Sequence, residues 1–325
     1  FNGDNALVDA FTHLVTNNPA KRYAVFFIGF GSGILDLVWD WNTNAWYWPS
    51  EFLARGILYD AENNFRLSSN QLVTACQRIN DVLVNNGHPD RLDLLVTDAD
   101  MMNSLELLTK LPVSVFCGTQ DRQAVQGIPY DKVFNILNMH DVDAIQLAKE
   151  IVQAFDGYYR LYGTPTPISY TAMDVSMAGS YAAILDELLA HLATISENES
   201  LAHKLYALRN TVRECAAFSD YVDLYDWVLA VSTFINDPAS NIEYFLRNRI
   251  NGVIDRLKDY FGKKRTQDAP GVVIAHAQQQ QTHPGYGVNV YYPQTWLQPE
   301  YTGMSPAWLS FVTNSAAHFR AQQAH

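Results

Sequence analysis

Leu7, Phe11, Leu14 and Val15 recur at helical spacing between Asn5 and Asn17, and Asn17-Asn18-Pro19 ends the pattern, so the first predicted element is an amphipathic helix. The period then changes. Tyr23-Ala-Val-Phe-Phe-Ile28 is an unbroken apolar run that stops at Gly29-Phe-Gly-Ser-Gly33, as a strand buried on both faces does where it feeds a glycine-rich loop. An aromatic stretch from Trp39 to Trp48 follows no period, after which Leu72, Cys76, Ile79 and Leu83 predict a helix within residues 67–84. Two more buried strands come next. Leu92-Asp-Leu-Leu-Val-Thr97 runs into Asp98-Ala-Asp-Met-Met102 and a helix through Leu111, and Val113-Ser-Val-Phe-Cys117 runs into Gly118-Thr-Gln-Asp121 and then Gly127-Ile-Pro-Tyr130. Three βα repeats with loops in equivalent places predict a doubly wound sheet.

Past Pro165 one more strand, residues 168–174, gives way to helices: one carrying Tyr181, Ile184, Leu185, Leu188, Leu189 and Leu192, one over 221–235, and one over 242–261 that ends in Lys263-Lys-Arg265. Gln278 to Gln281 reads as a polar surface loop, and Gly287-Val-Asn-Val-Tyr-Tyr292 as a last strand returning to the sheet. That return favours one continuous domain, 1–325, made of a sheet core (1–178), a helical segment (179–265) and a returning strand with a tail (266–325).

Composition narrows the partners. Of 325 residues 48% are hydrophobic and 17% charged, with 7 Trp, 18 Tyr and 16 Phe, which supplies a large core and excludes disorder. A net charge of -12 argues against nucleic acid or an anionic membrane surface and leaves cationic or neutral partners open. No apolar run reaches the ~18 residues of a membrane span. Cys76, Cys117 and Cys215 are too scattered for a disulfide framework or a zinc knuckle and read as free thiols. No signal peptide heads the chain and it begins at Phe1, so a trimmed or processed product is expected and the compartment is not legible. Asn198-Glu-Ser200 is a glycosylation sequon, meaningful only in a secreted chain.

Open α/β sheets place their chemistry outside the carboxyl ends of the strands, here the loops 29–33, 98–102 and 118–121. These loops carry a resemblance. Residues 23–33 are similar to the strand of clostripain-like cysteine peptidases that ends in His followed by Gly-Ser-Gly, and Asp98-Ala-Asp-Met-Met102 resembles their Asp-Ala-Cys signature. Gly127-Ile-Pro-Tyr130 resembles Gly-Trp-Pro-Tyr, and residues 169–175, 223–226 and 287–293 also follow the family in order. The resemblance spans about residues 4 to 311 and implies a caspase-like fold, a three-layer α/β/α sandwich with a mostly parallel sheet and a helical insertion before the last strand.

The departures from that pattern bear on function. Phe30 stands where the family has its catalytic histidine and Asp100 where it has its nucleophilic cysteine, so the dyad is degenerate. Thiol peptidases need a thiolate to attack and an imidazole to protonate the leaving amine, and neither side chain supplies these. The resemblance therefore implies a pseudopeptidase that binds a protein or a basic peptide, or serves as a structural part of an assembly, with no catalytic residues. Asp98, which in the family lines the pocket for basic side chains, is the candidate receiver of Arg or Lys, with Asp100, Gly31 and Ser32 beside it; alternatively Asp98 caps the helix that follows. The rival is a peptidase or other hydrolase using an unaligned nucleophile such as Cys117, with His88 or His140 near the same edge. Two adjacent carboxylates without a histidine nearby make a weak metal site, so no metal is assigned. The glycine loop lacks the spacing of a nucleotide-binding loop, and no stretch asks for a cofactor. Finally, the family pattern begins with a strand-helix-strand portion that this chain lacks. The strand at 23–28 should then be left with a raw edge, completed by an amino-terminal fragment or a second subunit.

Overall fold

The computed structural model describes residues 3–29, 31, 34, 38–40, 45–47, 57–60, 65–88, 91–124, 126–138, 142–164, 166–215, 219–261, 271–279, 285–294, 297, 301 and 304–323. Phe30, Ser32, His140 and the basic run 263–265 lie outside them. The chain divides into two units, one up to Ser176 with Ile274–Gln281, the other Met177–Val273 with the remainder from Thr282.

The first unit is built on a five-stranded sheet. In chain order its elements are α1 (Gly3–Asn17), β1 (Ala24–Ile28), two short hairpins β2–β3 (Val38–Asp40, Ala45–Tyr47) and β4–β5 (Ile57–Asp60, Phe65–Leu67), and α2 (Ser69–Asn85). There follow β6 (Leu92–Asp98), α3 (Leu105–Leu108), β7 (Val113–Gly118), α4 (Tyr130–Leu137), α5 (Ala144–Tyr162) and β8 (Ile168–Asp174). The strand order is β1-β6-β7-β8-β10, where β10 is Val273–Gln279. β1 and β7 flank β6 in parallel, with Ile28 opposite Asp98, while β8 runs antiparallel to β7. The continuous apolar runs in β6 and β7 have their cause here, since both faces are covered. Leu94, Val96, Val115 and Cys117 pack under Val152, Phe155 and Tyr159 of α5, in a cluster that omits Leu95 and Phe116, whose side chains alternate to the other face. α2 is started by a capping box, Ser68 bonded to the Gln71 N–H and Gln71 bonded back to Ser68. It buries Leu72, Cys76, Ile79 and Leu83, the residues that predicted it. A mostly parallel sheet between helical layers is the fold class the sequence predicts.

Two expectations about the sheet need correction. Residues 287–292 do not return to the main sheet: β11 (Asn289–Tyr291) pairs antiparallel with β9 (Tyr221–Asp223) in a separate ribbon of the second unit. Its burial comes from aromatic packing instead, with Tyr292 against Trp308 and Phe311 at centroid distances of 6.0 and 5.6 Å. The strand beside β8 is β10, Val-Ile-Ala-His-Ala-Gln-Gln, so Gln278 and Gln279 lie on a strand and not in a surface loop. An edge strand buries only part of each face and so shows no apolar run; Gln279 is held by Asp156 at 2.7 Å.

The second unit holds α6 (Ala178–Ser196), α7 (Glu199–Ala207), α8 (Leu224–Asn236), α9 (Tyr244–Phe261) and α10 (Pro306–Gln323). The helix expected over 221–235 is thus a short strand followed by α8, because Asp223 accepts from the Asp226 N–H at 2.9 Å and caps the helix there. Asn198 of the sequon likewise caps α7, accepting from the Leu201 N–H at 3.1 Å. Trp227, Trp308 and Phe311 form the aromatic centre of this unit.

Candidate functional site

The turn that follows β6 is set against the turn that follows β7 by buried polar contacts. Thr119 Oγ1 donates to the Ala99 carbonyl at 2.7 Å, and the Met101 N–H donates to the Asp121 carbonyl and to Thr119 Oγ1, both at 2.9 Å. Asn103 closes the turn from both ends, its N–H on the Thr119 carbonyl at 3.0 Å and its amide on the Gly118 carbonyl at 2.9 Å. Thr119, Gln120, Asp121 and Asn103 have no exposed surface. This lattice holds Met101 at φ 57°, a left-handed conformation that costs a non-glycine residue on the order of 1–3 kcal/mol. A turn so constrained presents Asp98 and Asp100 at the carboxyl edge in one fixed arrangement.

Asp98, 6% exposed, ends β6 and points under the loop that leads to α4. Its carboxylate accepts from the Ile128 N–H at 3.1 Å, from the Tyr130 hydroxyl at 2.7 Å and from the Gln123 side-chain amide. Gly127 is required beside it: at φ 69° a side chain is strained, and a Cβ there would collide with the Asp98 carboxylate. Tyr159 fixes the same glycine from α5, donating to its carbonyl at 2.6 Å. The motif 127–130 is therefore a cover folded over Asp98. Asp98 is not a helix cap, since the side chain that caps α3 is Ser104.

Asp100 sits in the turn itself, half-buried, and accepts from the backbone N–H of Gln123. Burial pushes its carboxyl up to about 6; the Gln123 N–H and Arg122 oppose that rise and the charge of Asp98 adds to it. Gly31 lies over this turn so closely that a Cβ would collide with the Asp100 carbonyl oxygen, which demonstrates that the glycine loop after β1 and the turn after β6 meet. Of the candidate residues, Gly31, Asp98 and Asp100 are thus brought together, while Phe30 and Ser32 fall outside the described residues. Gln123 links the two carboxylates, one by its side chain and one by its backbone, and no sequence pattern marks it.

The alternative nucleophile is poorly placed. Cys117, on β7, is fully buried in the cluster under α5, and burial pushes its thiol far above the ordinary range, so it carries no thiolate. Cys76 is likewise buried, its thiol pushed up to about 12, and Cys215 is buried too. His88 is not at the carboxyl edge: its ring packs edge-on to Tyr23, 5.1 Å away, at the amino end of β1. Among the described residues no cluster of three or more His, Cys, Asp or Glu is placed to hold a metal, and no helix is long and apolar enough to cross a membrane.

A model of the clostripain family of peptidases matches residues 4–288. The chain belongs to the clostripain family. Solved structures of that family share its fold at low identity. A secreted C11 cysteine protease from Bacteroides thetaiotaomicron superposes with a TM-score of 0.57 at 15% identity, over 89% of this chain and 71% of that one. The same description with an irreversible peptide inhibitor gives 0.56 at 17%, over 98% and 78%. An inactive zymogen C11 protease from Parabacteroides distasonis gives 0.53 at 15%, over 95% and 71%. No curated protein matches the sequence. The turn 98–102 and the glycine loop are the stretches whose sequence resembles the family's signatures, and Gly31 of that loop lies against the turn.

Proposed function

We propose that the chain is a catalytically inactive member of its family, a pseudopeptidase that binds a protein or a basic peptide at the carboxyl edge of its sheet. The observation that carries this reading is Asp100. By the resemblance of Asp98-Ala-Asp-Met-Met102 to the family's Asp-Ala-Cys signature it stands at the cysteine position, it lies beside Gly31, and a carboxylate is a poor nucleophile toward an amide. A relative holding a peptide inhibitor supports a peptide as the class of ligand. In this reading Asp100 receives the cation of the peptide beside Gly31, and Ser32, outside the described residues, is a further contact proposed from the sequence pattern alone. Asp98 shapes the edge through the cover it holds, because an Arg reaching it must displace three donors.

The purified chain is expected to cleave neither Arg- nor Lys-terminated peptide reporters, beyond a residual rate of ~10³ over water that binding and oxyanion contributions can sustain. Turnover that a single substitution in the chain abolishes would overturn the proposal. The companion variant Phe30→His with Asp100→Cys should gain labelling by a thiol probe at residue 100, whereas the parent, its three cysteines buried, should label only after unfolding.

We also propose that a strand of a second polypeptide, an amino-terminal fragment or another subunit, adds to β1. Among the described residues β1 ends the sheet order, and Ile28 is 59% exposed. Tyr23 accepts from Leu94 and Gly29 donates to Asp98, so by the alternation of a parallel ladder the N–H groups of Ala24, Phe26 and Ile28 point away from β6. Ala24→Pro removes one outward donor while leaving the inner ladder intact. It should leave the melting temperature of the isolated chain unchanged and release any partner that copurifies; a partner retained at equal yield would place the contact elsewhere.

A further inference from the structure

In the second unit, α7 and α10 bring three side-chain nitrogens to one point. His203 Nδ1 lies 3.1 Å from His318 Nε2, and Gln322 Nε2 lies 2.7 Å from the first and 2.9 Å from the second. His318 and Gln322 are one turn apart on α10, so both face the same neighbour, and the two imidazole rings meet at 70° with centroids 5.1 Å apart. The ring of Tyr206 packs against His318, 5.4 Å away, and fixes its orientation.

Protons cannot satisfy this triangle. Each imidazole nitrogen has a single in-plane site, which holds either a hydrogen or a lone pair. If the amide donates to both rings, the two ring nitrogens face each other as lone pairs; if one of them carries a hydrogen, it can no longer accept from the amide. Turning the amide over, so that Oε1 replaces Nε2, leaves the same conflict, with two sides of the triangle satisfied and one not. A cation capping the triangle from outside its plane can accept a lone pair from all three. Donors at the usual ~2.0–2.1 Å from zinc stand about 3.3 Å apart across a tetrahedral angle and about 2.9 Å across a right angle, and the observed sides of 2.7–3.1 Å approach the latter spacing. The turned amide then offers an oxygen, giving two imidazoles and one carbonyl. Glu199 stands one turn before His203 on α7, close enough for its charge to act on His318, and adds a negative field.

We propose that His203, His318 and Gln322 form a binding site for a divalent transition-metal ion of the zinc, nickel or copper class, a site that fastens α10 to α7. Imidazole donors select these ions over magnesium and calcium, which take oxygen ligands, and solvent completes the coordination at this exposed position. The site lies far along the chain from the carboxyl-edge turn, and it stands whether or not the chain cleaves peptides.

The test is calorimetric titration of tag-free, chelator-treated protein with zinc chloride and nickel chloride, with magnesium chloride as the control. One equivalent of zinc is expected to bind in the micromolar range, with a rise in melting temperature, and magnesium to give no heat. His203→Ala and His318→Ala should each weaken zinc at least tenfold with unchanged circular dichroism. Gln322→Glu, at an exposed position where folding is not at risk, should tighten it at least fivefold by replacing a carbonyl with a carboxylate. Zinc that binds only at millimolar concentration, or binds equally in the parent and all three variants, overturns the site.

Discussion

Asp98→Ala should destabilise the protein by about 4 kcal/mol, because a carboxylate with 6% exposure is removed from one buried and two half-buried donors, each charge-assisted bond contributing about 1.5–3 kcal/mol without full additivity. The Ile128 N–H and the Tyr130 hydroxyl would be left facing a void too small for all of their lost partners. Asp98→Asn keeps the shape but turns one acceptor oxygen into a donor, so its cost should fall between zero and that of alanine. Urea unfolding followed by circular dichroism measures both. The opposing view, in which Asp98 is held in readiness for a basic side chain, predicts an alanine variant that is neutral or more stable, since binding sites are commonly maintained at a cost to the fold. Gly127 supplies an internal check. Gly127→Ala in the parent must pay for both a left-handed backbone and a collision with the Asp98 carboxylate, whereas in the Asp98→Ala background only the backbone term of about 1 kcal/mol remains. The two substitutions should therefore be strongly non-additive, and simple additivity would show that the cover does not rest on Asp98.

The elements that sequence reading recovers are those whose burial is uniform. β6 and β7 are mostly apolar because they are packed on both faces, and α2 shows its period because a single face meets the sheet. β1, whose equally apolar run predicts burial on both faces, is not so buried: Ala24 and Ile28 are exposed and only Phe27 is fully buried, because β1 ends the sheet order among the described residues. β10 escaped because its residues alternate between partial burial and contact with polar groups such as Asp156, which reads as a loop. The run at 287–292 is a buried strand, as its sequence reads, but an apolar run does not say which sheet it joins: β11 pairs with β9 in the second unit, buried by aromatic packing there, and not with the main sheet. α10 went unread although Trp308, Phe311, Val312 and Ala316 recur at helical spacing. The interrupting Ser315 is itself buried, bonded to the Tyr292 hydroxyl at 3.0 Å, and such a polar core position erases the amphipathic contrast.

At the candidate site the division is similar. Gly31, Asp98, Asp100 and Gly127 could be picked out as glycines and acids at strand ends, and the resemblance to the family ordered them. Gln123, Thr119 and Asn103 could not, because their roles are hydrogen bonds between turns some 15 to 25 residues apart, and such geometry leaves no period behind. The left-handed Met101 is equally silent, since nothing in a methionine announces a positive φ.

Asp100→Asn should stabilise the protein by about 2 kcal/mol at pH 8 and by almost nothing at pH 4. The sign follows from the direction of the shift. In the unfolded chain this carboxyl ionises at its ordinary value of 3.8, and in the folded protein burial raises it to about 6, so ionisation works against folding. Below 3.8 both states are protonated and the residue is neutral in effect; between 3.8 and 6 the unfolded chain ionises while the folded one holds its proton, so stability falls across that interval and levels off above 6. A shift of this size corresponds to at most ~3 kcal/mol, reduced here because the side chain is only half-buried. Asparagine retains an oxygen for the Gln123 N–H and has nearly the same volume, so the gain isolates the charge. Thermal unfolding of both proteins across pH 4–8 should give curves that converge at the acid end and separate through pH 6. A constant offset, or a variant that is less stable at pH 8, would mean that the carboxylate is already compensated by Arg122 or by a bound cation. A retained carboxylate that weakens its own fold at neutral pH calls for a use, and the proposed one makes a matched demand: affinity for an Arg-containing peptide should rise through the same pH interval in the parent and stay flat and weak in Asp100→Asn. A peptide that binds both proteins with the same pH profile would separate the cost of Asp100 from any role in recognition.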